Sequence, residues 1–181
     1  SLYEIEYNED NTVKAINPMG TAPQRVEKRI VSDLDRVHFP DKFIVPGVEI
    51  VHDRAVAEIF RGCIRGCRFC QAGYIYRPIR EKQADTVNRD CKALCESTGY
   101  DEVSLCSLST SDYTHLEELL NKLLDWTVED KVNIALPSLR ADNFSKELSQ
   151  RLASVRRSGL TFAPEAGTQR MRDVINKNIT E

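Results

Sequence analysis

The pattern of apolar and polar positions changes character about a third of the way along the chain. At the start, the run L-Y-E-I-E-Y mixes apolar and acidic residues with the period of a strand. The N-E-D-N that follows leads into T-V-K-A-I, which predicts a hairpin. Pro18, Gly20 and Pro23 break this pattern before a second β-like segment over residues 25–31. Residues 32–50 carry Pro40, Pro46 and Gly47 and read as an irregular connector laid against another part of the protein. Residues 1–50 are therefore expected to be a β-rich lead-in without chemistry, and 51–181 a core domain.

Beyond residue 50 strand-like and helix-like patterns alternate. An apolar strand is expected over 55–60, a helix over 84–97 with Asp85 or Thr86 as N-cap and Gly99 as its stop, and a strand over 102–106. A helix over 113–126 follows, with leucines 116, 119, 120, 123 and 124 as its stripe, and then a strand over 132–136 ended by Pro137. Ser145 is expected to cap a helix running to about residue 157 and closed by Gly159. A fourth strand is expected over 160–163, with a fourth helix starting at Thr168. Four βα units in succession imply an α/β fold with a parallel sheet and right-handed helical crossovers. Ligands in such folds bind at the carboxyl ends of the strands, here the loops 61–77, 107–113, 137–143 and 164–168.

Composition narrows the class without naming it. Hydrophobic residues make up 41% and charged residues 29% of the chain, with a net charge of −3. No apolar run is long enough to span a membrane, and a mildly acidic chain is not built to bind nucleic acid through overall charge. Cysteines among lysines and acids suit a reducing compartment, so a cytoplasmic location is expected. The chain opens in mid-pattern and stops inside a helix-like stretch, and it reads as a piece of a longer protein.

The candidate chemistry lies in R-G-C-I-R-G-C-R-F-C, where Cys63, Cys67 and Cys70 are spaced three and then two residues apart. Electron-transfer clusters usually use four thiolates, as in C-x2-C-x2-C-x3-C. Structural zinc favours two separated ligand pairs, and no second C-x2-C follows. A zinc site completed by His52 or a later cysteine, holding a structural interaction module together, stays as the reading outside enzymology. Three thiolates so close together can hold three corners of a [4Fe–4S] cubane and leave one iron open. Gly62 and Gly66 give the loop the freedom to wind closely.

This motif, with Phe69 just before the third cysteine, resembles that of radical S-adenosylmethionine (radical SAM) enzymes. The stretches H-D-R-A-V-A-E-I-F-R-G-C-I-R-G-C-R-F-C-Q-A-G-Y-I-Y-R-P-I-R, S-L-S-T-S-D-Y, A-L-P-S-L-R and A-P-E-A-G-T-Q-R-M-R-D-V-I-N-K are similar to an uncharacterised branch in which a cobalamin-binding-like region commonly precedes the radical domain. The resemblance implies a partial (βα)6 TIM-barrel-like core, of which this chain holds about four units. It further implies a cluster on Cys63, Cys67 and Cys70 whose open iron binds S-adenosylmethionine. Reductive cleavage would then yield a 5′-deoxyadenosyl radical that abstracts hydrogen from an unknown substrate. A flavodoxin or ferredoxin would be the electron donor. A cobalamin-dependent radical methylase or a methylthiotransferase acting on RNA or protein is the alternative within the family.

By the same resemblance Phe69 would pack near the adenine. The family's G-G-E position is occupied by Ser107, Leu108 and Ser109, so serine hydroxyls or backbone carbonyls would take over its contact, with Asp112 as a substitute or a helix cap. Glu165 faces the ligand or caps the next helix, and Ser138 and Arg140 lie at the same rim. No residue is singled out as catalytic. The missing units would leave the last strand unpaired, which predicts self-association of the isolated segment. Arg61, Arg65, Arg68, Arg77 and Arg80 cluster around the cysteines, either to offset cluster charge, to face solvent, or to contact nucleic acid with Tyr74 and Tyr76. Cys91 and Cys95, one helical turn apart, read as core residues, and Cys106 as packing.

Overall fold

A computed structural model describes residues 1–143, 150, 159 and 161–180. The chain divides into two compact units, Ser1–Val31 and Ser32–Glu181. In the first, β1 (Tyr3–Tyr7) and β2 (Val13–Pro18) pair antiparallel, with Ile5 opposite Ile16 and a bulge at Glu6/Tyr7. Asp10 ties the turn by accepting from the Thr12 amide (3.0 Å) and hydroxyl (2.6 Å). The expected strand over 25–31 does not form. Those residues are exposed and join no ladder.

The second unit begins with the connector, which is irregular as its prolines suggest. Leu34 is buried, Asp35 accepts from the Gln83 amide (2.9 Å), and Phe39 and Phe43 pack against the core. The strand expected over 55–60 is split into β3 (Ala55–Glu58) and β4 (Phe60–Arg61). The cysteine loop follows, with the short helix α1 (Gln71–Ile75) inside it. The loop returns through β5 (Arg80–Glu81), which pairs antiparallel with β4.

Helix α2 (Ala84–Thr98) buries Ala84, Val87, Cys91, Leu94 and Cys95 on one face and stops at Gly99, whose φ of +75° lets its amide reach the Cys95 carbonyl at 2.8 Å. Its N-cap is Gln83 rather than Asp85 or Thr86. Asp85 sits in the first turn, where the helix dipole favours it, and pairs with Lys122 at 2.7 Å. Strand β6 (Glu102–Cys106) matches its expected bounds. Helix α3 (Leu116–Asp130) starts later than expected, after a 3₁₀ turn over Thr110–Asp112 and a further turn at Thr114 and His115. It buries leucines 116, 119, 120 and 123, and Leu124 is half-buried.

With β7 (Asn133–Ala135), the strands form a parallel sheet in the order β3-β6-β7. One face, carrying Ala55, Ala57, Val103, Leu105 and Ile134, is buried in a common core with α2 and α3. The register places Val56, Glu58, Glu102, Ser104 and Cys106 on the other face. Parallel sheets covered on both faces read apolar throughout. Among the described residues, helices cover the first of these faces, while the second carries polar residues, of which Ser104 is buried. Cys106, expected as packing, is exposed at the carboxyl end of β6.

The helix expected over 145–157 lies outside the described residues. Residues 161–163 form no strand: they are exposed and join no ladder, so the fourth-strand expectation fails there. The last helix, α4 (Gln169–Val174), begins where expected, with the Thr168 hydroxyl accepting from the Met171 amide at 3.3 Å.

Candidate functional site

The cysteine loop leaves the sheet edge at Arg61 and returns at Arg80, and its neck is set by Gly62. Gly62 has φ of +102°, and a Cβ there would lie 2.9 Å from the Tyr76 carbonyl oxygen and 3.0 Å from that of Pro78. The outgoing and returning legs therefore touch at a point where only glycine fits. Within the loop the Cys70 amide donates to the Cys67 carbonyl (3.1 Å), and Cys70 is the N-cap residue of α1. Gly73, one turn into α1, leaves a gap. A Cβ on it would sit 3.7 Å from Cys70 Sγ and 4.0 Å from Cys63 Cβ, so those two cysteines border one small space. Cys67 is buried, and Cys63 and Cys70 are half-buried. Among the described residues, no three His, Cys, Asp or Glu side chains are gathered into a metal-binding group. The thiols suit an iron–sulfur group by donor type and by the gap above Gly73, and a full ligand set needs all three drawn together.

The arginines around the motif are occupied by the protein itself. Arg61 grips Glu58 with two hydrogen bonds (2.8 and 2.7 Å). Arg65 makes a two-pronged pair with Asp112, through Nε at 2.7 Å and through Nη2, and lies 3.8 Å from Asp142. The Arg68 guanidinium donates to the Val174 carbonyl. Arg80 is buried and donates to the carbonyls of Pro78 and Tyr76, both at 3.0 Å. Arg77 stacks over the Tyr74 ring at 4.8 Å. Of this cluster, expected to offset cluster charge, face solvent or contact nucleic acid, Arg68 and Arg77 are exposed, and all five arginines make contacts within the protein.

Asp112 is not a helix cap. Its carboxylate accepts from Arg65 and from Ser109 Oγ (2.7 Å). Burial pushes its pKa up, and the hydrogen bonds from Arg65 and Ser109 outweigh that, holding it below the ordinary carboxylate value. Asp142 is lowered in the same way, burial being outweighed by its bonds to Arg140. By contrast, burial pushes the Cys95 thiol up to about 11 and Cys91 higher still, as expected of core cysteines.

The other expected ligand contacts are dispersed. Ser109 and Asp112 share with Cys63 a cavity of about 370 Å³, whose walls include Phe60, Ile64 and Ile79. Ser107, bonded to Thr110 at 2.9 Å, lies with Gly62 and Cys106 in a second cavity of about 360 Å³. Ser138 has φ of +59° and borders a third cavity of about 430 Å³ with Glu102 and Ser104. Arg140 is buried and committed to Asp142 (3.0 and 2.9 Å) and to the Lys177 carbonyl (2.8 Å). Glu165 pairs with Lys177 at 3.2 Å, while Thr168, not Glu165, caps α4. Phe69 is exposed.

Asn176 was not foreseen. Its amide nitrogen donates to the Gly66 carbonyl (2.9 Å) and lies 3.4 Å from that of Arg65. A polar residue able to adopt a positive φ just after a helix was the available signal.

These observations converge with the comparisons. Residues 57–181 match the family model of the radical SAM superfamily, and the chain belongs to that superfamily. An uncharacterized protein of Methanocaldococcus jannaschii, MJ0966, is 39% identical over 124 residues, covering 68% of this chain. The match spans about a quarter (26%) of that protein's length. No helix among the described residues is long and apolar enough to cross a membrane.

Proposed function

We propose that this chain is the cluster-bearing part of a radical SAM enzyme, in which Cys63, Cys67 and Cys70 hold a [4Fe–4S] cluster. The observation that carries the reading is the glycine-framed cysteine loop, with Cys63 and Cys70 bordering the gap at Gly73, inside a region that matches the superfamily. When bound, the cluster supplies the electron that cleaves S-adenosylmethionine to a 5′-deoxyadenosyl radical for hydrogen abstraction. The chain's own residues bind and orient. Gly62 and Gly66 let the loop wind closely, Arg65 and Arg68 fix it, and the cavity that Gly62 shares with Ser107 and Cys106 offers room beside it.

Anaerobic reconstitution of the intact protein with iron and sulfide tests this. A charge-transfer band near roughly 400 nm, a paramagnetic signal on reduction and release of 5′-deoxyadenosine are expected, because a thiolate-ligated cluster is coloured and redox-active. A colourless protein that binds one zinc tightly, a d10 ion silent in both readouts, sinks the proposal in favour of a structural metal module.

A further inference from the structure

Helix α4 ends in a Schellman motif, and the residue that makes the stop reaches the cysteine loop. The Lys177 amide donates to the Arg172 carbonyl (2.9 Å) and the Asn176 amide to that of Asp173 (3.0 Å), with Asn176 at φ +56°. Glycine is the usual residue at such a position because it meets no steric penalty there; asparagine is the next most tolerated. The chain places asparagine here, and the side chain that glycine lacks donates to the Gly66 carbonyl at 2.9 Å, which also accepts from Tyr74 Oη at 3.3 Å. The strip around it makes further contacts. The Arg68 amide donates to the Ile175 carbonyl at 2.9 Å, and the Arg68 guanidinium to that of Val174.

We infer that Asn176 is a positioning residue for the cluster loop: it fixes the backbone of Arg65 and Gly66, between Cys63 and Cys67, through a hydrogen bond from the helix stop. Its role toward the cluster rests on the proposal that these cysteines hold one. The latch itself is a property of the protein alone. Gly66 needs this hold because its φ of +70° puts it in a region that glycine samples freely in a loose loop.

The test is Asn176→Gly in the intact protein, which keeps the backbone stop and deletes only the amide. Asn176→Asp serves as a second variant, keeping the shape while replacing the donor with an acceptor that repels the two carbonyls. In the metal-free protein, amide hydrogen exchange at residues 65–70 should accelerate roughly three- to tenfold in Asn176→Gly and at least as much in Asn176→Asp, with β6 and α2 unchanged. In reconstituted protein, iron loss to a chelator should accelerate by a similar factor, and the paramagnetic signal of the reduced cluster should broaden. Exchange at 65–70 within twofold of the parent in both variants overturns the inference. So does acceleration spread evenly over the sheet, which would make Asn176 a general stability residue. If the parent takes up no cluster, the proposed function fails, and the exchange measurement still decides the latch.

Discussion

The helix layer and the cysteine loop hold themselves together by opposite means. Helices α2 and α3 bury an apolar face against β3 and β6, and their stability comes from area removed from water. The loop over residues 61–77 leaves Ile64, Phe69 and Tyr74 exposed and is held by hydrogen bonds and ion pairs to Asp112 and to the end of α4. The same residue type therefore has two fates. Cys91 and Cys95, in the apolar layer, are thiols made inert by burial, whereas Cys63 and Cys70 lie half-buried in a polar frame.

The largest expected effect is in thiol chemistry, where the buried thiols of the helix layer are set against the exposed one at the end of β6. In metal-free native protein at pH 8, iodoacetamide should label exposed Cys106 more than about a hundredfold faster than Cys91 or Cys95, because thiolate and access are both needed. Mass-spectrometric labelling that finds Cys91 as reactive as Cys106 would erase the contrast. Next comes Leu119→Ala, which empties a fully buried site and should cost about 2–5 kcal/mol in denaturant unfolding.

A smaller loss, about 2 kcal/mol, is expected for Asp112→Asn, which takes from half-buried Arg65 its nearer charge partner and leaves it Asp142 at 3.8 Å. The sign with pH follows from the lowered pKa of Asp112. Its stabilising effect is present above the ordinary carboxylate value of 3.8 and fades as pH falls through the depressed one. Parent and variant should therefore converge in acid, and a gap that widens there would refute the clamp. The smallest effect belongs to Thr168→Ala, a lost N-cap costing about 1 kcal/mol, read as faster amide exchange confined to α4.

Local periodicity explains which parts of this arrangement could be read from the residues alone. Strand β6 and the leucine stripe of α3 announce themselves because their pattern repeats within a few residues and agrees with the packing. The cysteine spacing and the Gly99 stop are likewise short-range signals. The roles of Ser109 and Arg140 were not legible. Each has an ordinary place at a ligand rim, yet each is taken up by a carboxylate, Asp112 or Asp142. Arg65 and Asp112 are 47 residues apart, and Asn176 and Gly66 are 110 apart, distances over which no local pattern carries information. The strands expected over 25–31 and 160–163 had β-prone residues, and a ladder depends on partners that composition does not reveal.

The closed neck at Gly62 has a consequence for how this loop can vary. Because the two legs meet at one glycine, a side chain there has to force them apart, whereas a residue inserted near exposed Phe69 need not disturb the neck. The motif is thus a noose with a fixed knot and an adjustable bight. Engineering of what the loop holds, by insertion or by grafting a longer cysteine spacing, belongs at the bight and should leave position 62 as it is.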